Sequence, residues 1–408
     1  MDFIKRHRYT SIIALIFFVQ FLTRFVVQMH PYMQVNYVID YSSGFGPRKL
    51  IGSILNLLVP DDNVNFAHVI VFLIVANALI IALASSVIGN FIKSTLSIGN
   101  TKIYYFALLM CAVYIVGPFG LQYLFHTENF GRMDLFIIAC CFIFISITHT
   151  KRPLFYLSST ILMVASCLIH QIFVCVFLPL YCAVYVYRIF KADHWRKEAT
   201  YGVLSMGVLT MIFMYIQFFP LNIYSLSEIV PILQSKTNLS IDKMAVFYEY
   251  YAPISHHLFE YVPMYIDRLI ISFVTSLLIL SPLLYLLVIF WKGVINSSDN
   301  KKYRLTIRLI NAAFLLSIPA FICTVDHGRW ISALITCQFM IIGWLIYNND
   351  NNVFVATKDF MAKVKSHPFL SVMFIVYMGS VDCYEAGPFL PLGKTVYNIL
   401  TTIYYVSI

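Results

Sequence analysis

Eleven apolar stretches limit what this chain can become; they lie at roughly 9–28, 67–89, 103–119, 133–149, 154–169, 171–189, 200–219, 268–291, 306–323, 331–347 and 368–384. Several reach the ~20 residues a helix needs to cross a hydrocarbon core of about 30 Å. A transmembrane barrel would show ~10-residue alternating segments instead. Charged residues make up only 12% of the 408 residues, about half the share usual in soluble domains. No polar segment is long enough to form a soluble domain. The expected fold is all-α: a polytopic helical membrane protein, one integral membrane domain over 1–408, with about eleven transmembrane helices.

Charge sets the expected orientation. With the N-terminus cytoplasmic, 19 of the 28 Lys and Arg residues fall in cytoplasmic loops, and every such loop is basic, as the positive-inside rule requires. The count holds only if the short turn at His170 is real and faces outward. The net charge of +9 then reports orientation, and nucleic acid is not an expected partner. Thirteen of the 19 acids fall on the outer side; acids do not set topology, so the outer face has its own use for them. The N-terminal "KRHRYTSIIALIFFVQFLTRF" lacks a small-residue cleavage site and reads as a retained first helix. Eight of nine cysteines lie in or beside apolar runs, with no disulfide framework and no CxxC metal site.

Four outer elements hold the candidate chemistry. The first outer loop, 29–66, contains "DYSSGFGPRKLIG" and then "LIGSILNLLVP", which reads as a short amphipathic helix on the membrane surface. Asp40 precedes three glycines, and Arg48 and Lys49 offer bidentate and point-charge recognition of phosphate. The second element, "QYLFHTENFGRMDLF", places His126, Glu128, Arg132 and Asp134 within nine residues. Ionisable groups at that depth are costly unless paired or lining a wet cavity. The third is "CLIHQIFVCVFLP", with His170 between two apolar runs. The fourth, "CTVDHGRWIS", holds Asp326, His327, Arg329 and Trp330 in one tight turn; Trp stacks on apolar sugar faces and Arg neutralises pyrophosphate oxygens. The longest outer segment, 220–267, is rich in Tyr and Pro and reads as a loop with short interfacial helices.

Carboxylates, arginines, histidine and aromatics on one outer face fit glycosyl transfer from a lipid-linked donor. Asp40, His170 and Asp326 are the candidate catalytic residues: a carboxylate or His deprotonates the acceptor hydroxyl. Arg48, Lys49, His126, Glu128, Arg132, Arg329 and Trp330 are the candidates for binding substrate and stabilising the departing (pyro)phosphate. No nucleotide-sugar motif, P-loop or Gly-rich dinucleotide fingerprint occurs, in keeping with a donor already on lipid.

On these residues the chain resembles membrane glycosyltransferases of the GT-C type. More narrowly it resembles the polytopic enzymes of bacterial O-antigen and capsule assembly, including Wzy-type polymerases. The resemblance rests on the helix layout, the Asp40 loop, "GFGPRKLIG", "IHQIF" and "DHGRW". It implies a bacterial inner-membrane location and an undecaprenyl-linked oligosaccharide or sugar as substrate. It also implies membrane lipids and other polysaccharide-assembly proteins as partners. In GT-C enzymes an acid in the first outer loop is commonly catalytic or metal-linked, which implies that role for Asp40 and a divalent metal as a possible cofactor. In Wzy-type polymerases outer arginines act, which implies Arg48, Arg132 or Arg329. A single-sugar transferase and a flippase of lipid-linked oligosaccharide remain alternatives. A membrane acyltransferase using His149 or His170 is a further one. A flippase should carry polar groups near mid-span; here the mid-spans are mostly apolar.

Overall fold

The structure, a computed structural model, describes residues 7–25, 29–59, 63–125, 129–251, 259–260, 262–264, 266–324, 326–383 and 388–389. It is built almost entirely of helices. Seven of those described are long and apolar enough to cross a membrane: Phe66–Ser97, Thr101–Leu124, Arg152–Ile169, Trp195–Phe218, Ile270–Asn296, Lys301–Cys323 and His327–Tyr347. The other four apolar stretches are helical but shorter or broken. Arg8–Arg24 has 17 residues, Asp134–Ile147 has 14 and Pro368–Gly379 has 12. The stretch after His170 divides into Phe173–Val176 and Leu178–Lys191. Among the described residues, seven of the eleven expected spans thus have a single helix of the length and hydropathy to cross a membrane.

The helices start where local chemistry tells them to. Side chains of Asn65, Asn100, Asn300 and Asp350 accept hydrogen bonds from first-turn amides, which would otherwise have no partner in the helix. Prolines occupy the first turns of Arg152–Ile169, Leu178–Lys191 and Pro368–Gly379, where a missing N–H costs nothing. The three-residue links 98–100 and 348–350 force their flanking helices to run antiparallel.

His327–Tyr347 forms the axis of the bundle. Of its most apolar window 67% is buried, against 22% for Trp195–Phe218 and Ile270–Asn296, so the latter two lie at the rim with apolar side chains such as Leu204 and Leu278 exposed. The first helix packs along Phe66–Ser97, and Arg24 reaches Asp382 at 3.5 Å, beside a two-residue ladder that pairs Asp382–Cys383 with Pro388–Phe389.

Polar networks hold the two ends of the bundle differently. At one end Glu198 receives Arg152 Nε at 2.6 Å, Tyr156 Oη at 2.7 Å and Arg188 Nε at 3.4 Å. Asp350 there accepts from Tyr187 and Tyr303 at 2.6 and 2.8 Å. Arg152 opens an 18-residue helix that closes at Ile169, so His170 lies about 27 Å away at 1.5 Å per residue. That far end holds the second, denser network.

Candidate functional site

The loop "DYSSGFGPRKLIG" folds against the chain after Phe218 rather than over open space. Gly44 has φ +111°, and a Cβ there would collide with the Leu221 carbonyl oxygen. Leu221 N donates to Phe45 O at 2.9 Å and Ile223 N to Ser43 O at 3.1 Å. At Gly52 a Cβ would collide with the carbonyl oxygen of Ile39. These two glycines are therefore demanded by backbone-to-backbone approach.

Asp40 is the N-cap of the 3-10 turn Tyr41–Ser43. Its carboxylate accepts from Ser42 N at 3.0 Å, from Ser42 Oγ and from Asn56 Nδ2, and Lys236 Nζ stands 3.6 Å away. Lys49 is buried, donates to Gly44 O at 3.1 Å and to Asn222 Oδ1 at 3.4 Å, and lies 4.6 Å from the Tyr250 ring centroid. Burial pushes its pKa down to about 8, against the attraction of Asp40. Asp40 and Lys49 thus form a latch between the 29–59 segment and the 220–250 segment.

Arg48 points the other way. It has φ 62°, a left-handed conformation uncommon for a side-chain-bearing residue. Its backbone N donates to Leu168 O at 2.9 Å, its Nε to Gln171 Oε1 at 3.1 Å, and its Nη1 lies 2.5 Å from Glu249 Oε2. Tyr32 sits against the same pair: burial, then the Glu249 charge, push its phenol well above the usual range. The αL turn therefore separates two adjacent cations, sending Lys49 into the latch and Arg48 into the bundle mouth.

His170 ends the Arg152–Ile169 helix, and Ile172 N donates to its Nδ1 at 3.2 Å. With Nδ1 accepting, the neutral ring carries its proton on Nε2, a tautomer assigned from the hydrogen bond. Burial holds its pKa well below the ordinary value, and Arg48, Arg329 and Arg132 lower it further. Arg132 is buried and donates from Nε to Asn129 Oδ1 at 3.2 Å.

Arg329 sits in the first turn of the axial helix. Nε and Nη2 donate to the two oxygens of Asp134 at 2.8 and 3.1 Å, and Nη1 donates to Asp326 Oδ2 at 2.7 Å. Its guanidinium carbon lies 4.5 Å from the Trp330 ring centroid, and Trp330 Nε1 donates to Thr324 Oγ1 at 2.5 Å. The fork-to-fork pairing with Asp134 is the geometry in which Arg binds a carboxylate most strongly.

The chain matches no known protein family, no characterised protein and no solved structure.

Seven of the residues singled out from sequence come together here: Arg48, Arg132, Asp134, His170, Asp326, Arg329 and Trp330. Asp40 and Lys49 fall in the adjoining latch, and Asp40 shares none of the cluster's partners. His126 and Glu128 lie outside the described residues. Tyr32 and Glu249 were not legible from sequence, since Tyr32 sits in an unremarkable "HPYMQ" and Glu249 in an aromatic run. Of the three candidate proton acceptors, Asp326 keeps the most exposed side chain, 18% against 10% for Asp40, while His170 already uses Nδ1. Among the described residues no group of three or more His, Cys, Asp or Glu is placed to hold a metal ion. His149 lies apart from the cluster, on a 350 Å³ cavity shared with Asn90, Tyr114 and Tyr347.

Proposed function

We propose that this protein transfers glycosyl units on the outer face of the bacterial inner membrane, from a polyprenyl-(pyro)phosphate-linked donor, in O-antigen or capsule assembly. The fold is then GT-C-like with about eleven membrane passages and a cytoplasmic N-terminus, and the product is a polymer of repeat units. One observation carries the reading: three arginines, three carboxylates and a neutral histidine converge at one end of the bundle from segments as far apart as positions 48 and 329.

In this reading Asp326 is the base. It takes the proton of the acceptor hydroxyl as that oxygen attacks the anomeric carbon of the donor. The bond from that carbon to the phosphate oxygen breaks, and its electron pair leaves with the lipid phosphate. Arg48 and Arg132 face the growing negative charge, which favours the transition state over the ground state. His170 donates from Nε2 to a sugar or phosphate oxygen. Arg329 holds Asp326 and Asp134 in place and offers, with Trp330, a platform for the sugar.

The test is a gel of surface glycan from cells lacking the gene, complemented with wild type, Asp326→Asn, Arg48→Ala or Asp40→Asn. Collapse of the ladder to one repeat unit with Asp326→Asn and Arg48→Ala, the proteins remaining in the membrane, supports the polymerase. An intact ladder lacking one side sugar indicates a single-sugar transferase. Loss of all surface glycan with lipid-linked repeats trapped inside indicates a flippase and overturns the reading.

A further inference from the structure

A second ligand feature lies away from this cluster. The helices Thr101–Val116, Ile266–Asn296, Asn351–Ser366 and Pro368–Gly379 enclose a groove of about 650 Å³. That volume suits a lipid chain or a drug-sized molecule. Its floor is aromatic: Phe106 stacks on Phe290 at 5.2 Å, and Phe360 meets Phe106 edge-on at 5.7 Å. Leu283 is buried in the wall, while Tyr285 and Leu370 at the mouth are 66% and 61% exposed. The groove therefore opens sideways, where acyl chains surround a membrane-spanning bundle.

One rim is cationic. Lys363 and His367 both line the groove, Lys363 from the last turn of Asn351–Ser366 and His367 as its C-cap. Lys365 lies between them in sequence and is exposed. His367 Nδ1 lies 3.1 Å from the Lys363 carbonyl oxygen, leaving Nε2 as its other polar atom. No acid lines the described groove. The rim is also remote from the Arg329 cluster. Gly379, at the other end of the 12-residue Pro368–Gly379 helix, packs on Val116 at the far end of Thr101–Val116. Phe339 and Ile342, which also line the groove, stand about 15 Å or more along the axial helix from Arg329 at 1.5 Å per residue.

We propose that this groove binds an anionic phospholipid, with an acyl chain along the aromatic floor and the phosphate at Lys363 and His367. An apolar trough with a single-sign cationic rim selects a molecule that is apolar along its length and negative at one end. A neutral lipid gains only the trough, and free phosphate gains only the rim. The site is separate from the proposed glycosyl-transfer centre, and its test does not depend on that activity.

The experiment is native mass spectrometry of the full chain in mild detergent. Phosphatidylglycerol and phosphatidylcholine of identical acyl chains are titrated separately, with inorganic phosphate as competitor. Lys363→Gln/His367→Gln removes the Lys363 charge and the His367 ring at two exposed positions, and Leu370→Trp obstructs the mouth. The expected result is phosphatidylglycerol bound at least tenfold more tightly than phosphatidylcholine. The double variant should reduce that preference to near one, and Leu370→Trp should weaken both lipids. Equal affinity for the two lipids in wild type overturns the proposal, as does an unchanged preference in the double variant. Displacement of phosphatidylglycerol by millimolar phosphate, or a second copy of the chain occupying the groove, also overturns it.

Discussion

Replacing Arg329 by Met should unfold its end of the bundle, because it strands Asp134. The Arg329 and Asp134 side chains are only 8% and 5% exposed and share two hydrogen bonds. Removing one partner of such a pair costs about 3–5 kcal/mol, because the remaining charge stays buried and unpaired. Asp326, at 18% exposure, recovers some hydration and contributes less. At about 1.4 kcal/mol per factor of ten, the folded-to-unfolded ratio falls by roughly a hundredfold or more. Asp134→Leu should cost a similar amount, since it leaves Arg329 with Asp326 alone. The double variant Asp134→Leu/Arg329→Met removes both charges and should regain much of the loss, because buried pairs are often replaceable by apolar residues. Thermal unfolding of the four proteins in one detergent measures the coupling. Single variants that each lower the midpoint by less than 1 °C, or losses that simply add in the double variant, would refute the reasoning.

Other outcomes follow from the same contacts. Below pH 6.5 the unfolded chain protonates His170 while the buried ring resists, so stability should fall as the solution is acidified below the unfolded value; His170→Gln, compared by melting between pH 5 and 8, should flatten that component. Lys49, with its pKa near 8 in the fold, resists protonation relative to the unfolded chain, so its burial penalty should lift as pH rises from about 8 toward 10; the difference in melting between wild type and Lys49→Met over that range reads it. Gly52→Ala should lower the melting point by several degrees, because its Cβ collides with a backbone carbonyl, an overpacking cost of typically 1–3 kcal/mol. Gly207→Ala, which meets nothing within 4 Å in mid-helix, should instead be neutral or stabilising by up to about 1 kcal/mol.

The helical, membrane-spanning character was legible because apolar runs near 20 residues have one comfortable solution in a bilayer. The lengths of the individual helices were less so. Composition cannot tell a 14-residue helix such as Asp134–Ile147 from a longer span when apolar residues continue past its ends. Within the candidate site, Arg329 and Asp326 stood out because a tight turn between two apolar runs forces charges to a helix end. Asp40 stood out for the glycines and the Arg-Lys pair that follow it, yet its oxygens are used in capping and by Asn56. Local sequence does not show whether an acid's nearest donors already satisfy it. The partnership of Arg48 with Glu249 spans 200 positions, and nothing near either residue foretells it. The opposed directions of Arg48 and Lys49 depend on one backbone angle, φ 62° at Arg48, in a loop whose glycines permit several.

The Asp134–Arg329 pair also bears on how this chain can change over generations. The two residues come from different helices, and each holds the other's charge inside the bundle. A lineage that loses one first passes through a chain with an unmatched buried charge, which folds poorly and is lost. Inherited change at these two positions should therefore arrive together, as a swap of both or a joint move to apolar residues. Homologous sequences, however far they drift elsewhere, should show positions 134 and 329 varying as one character.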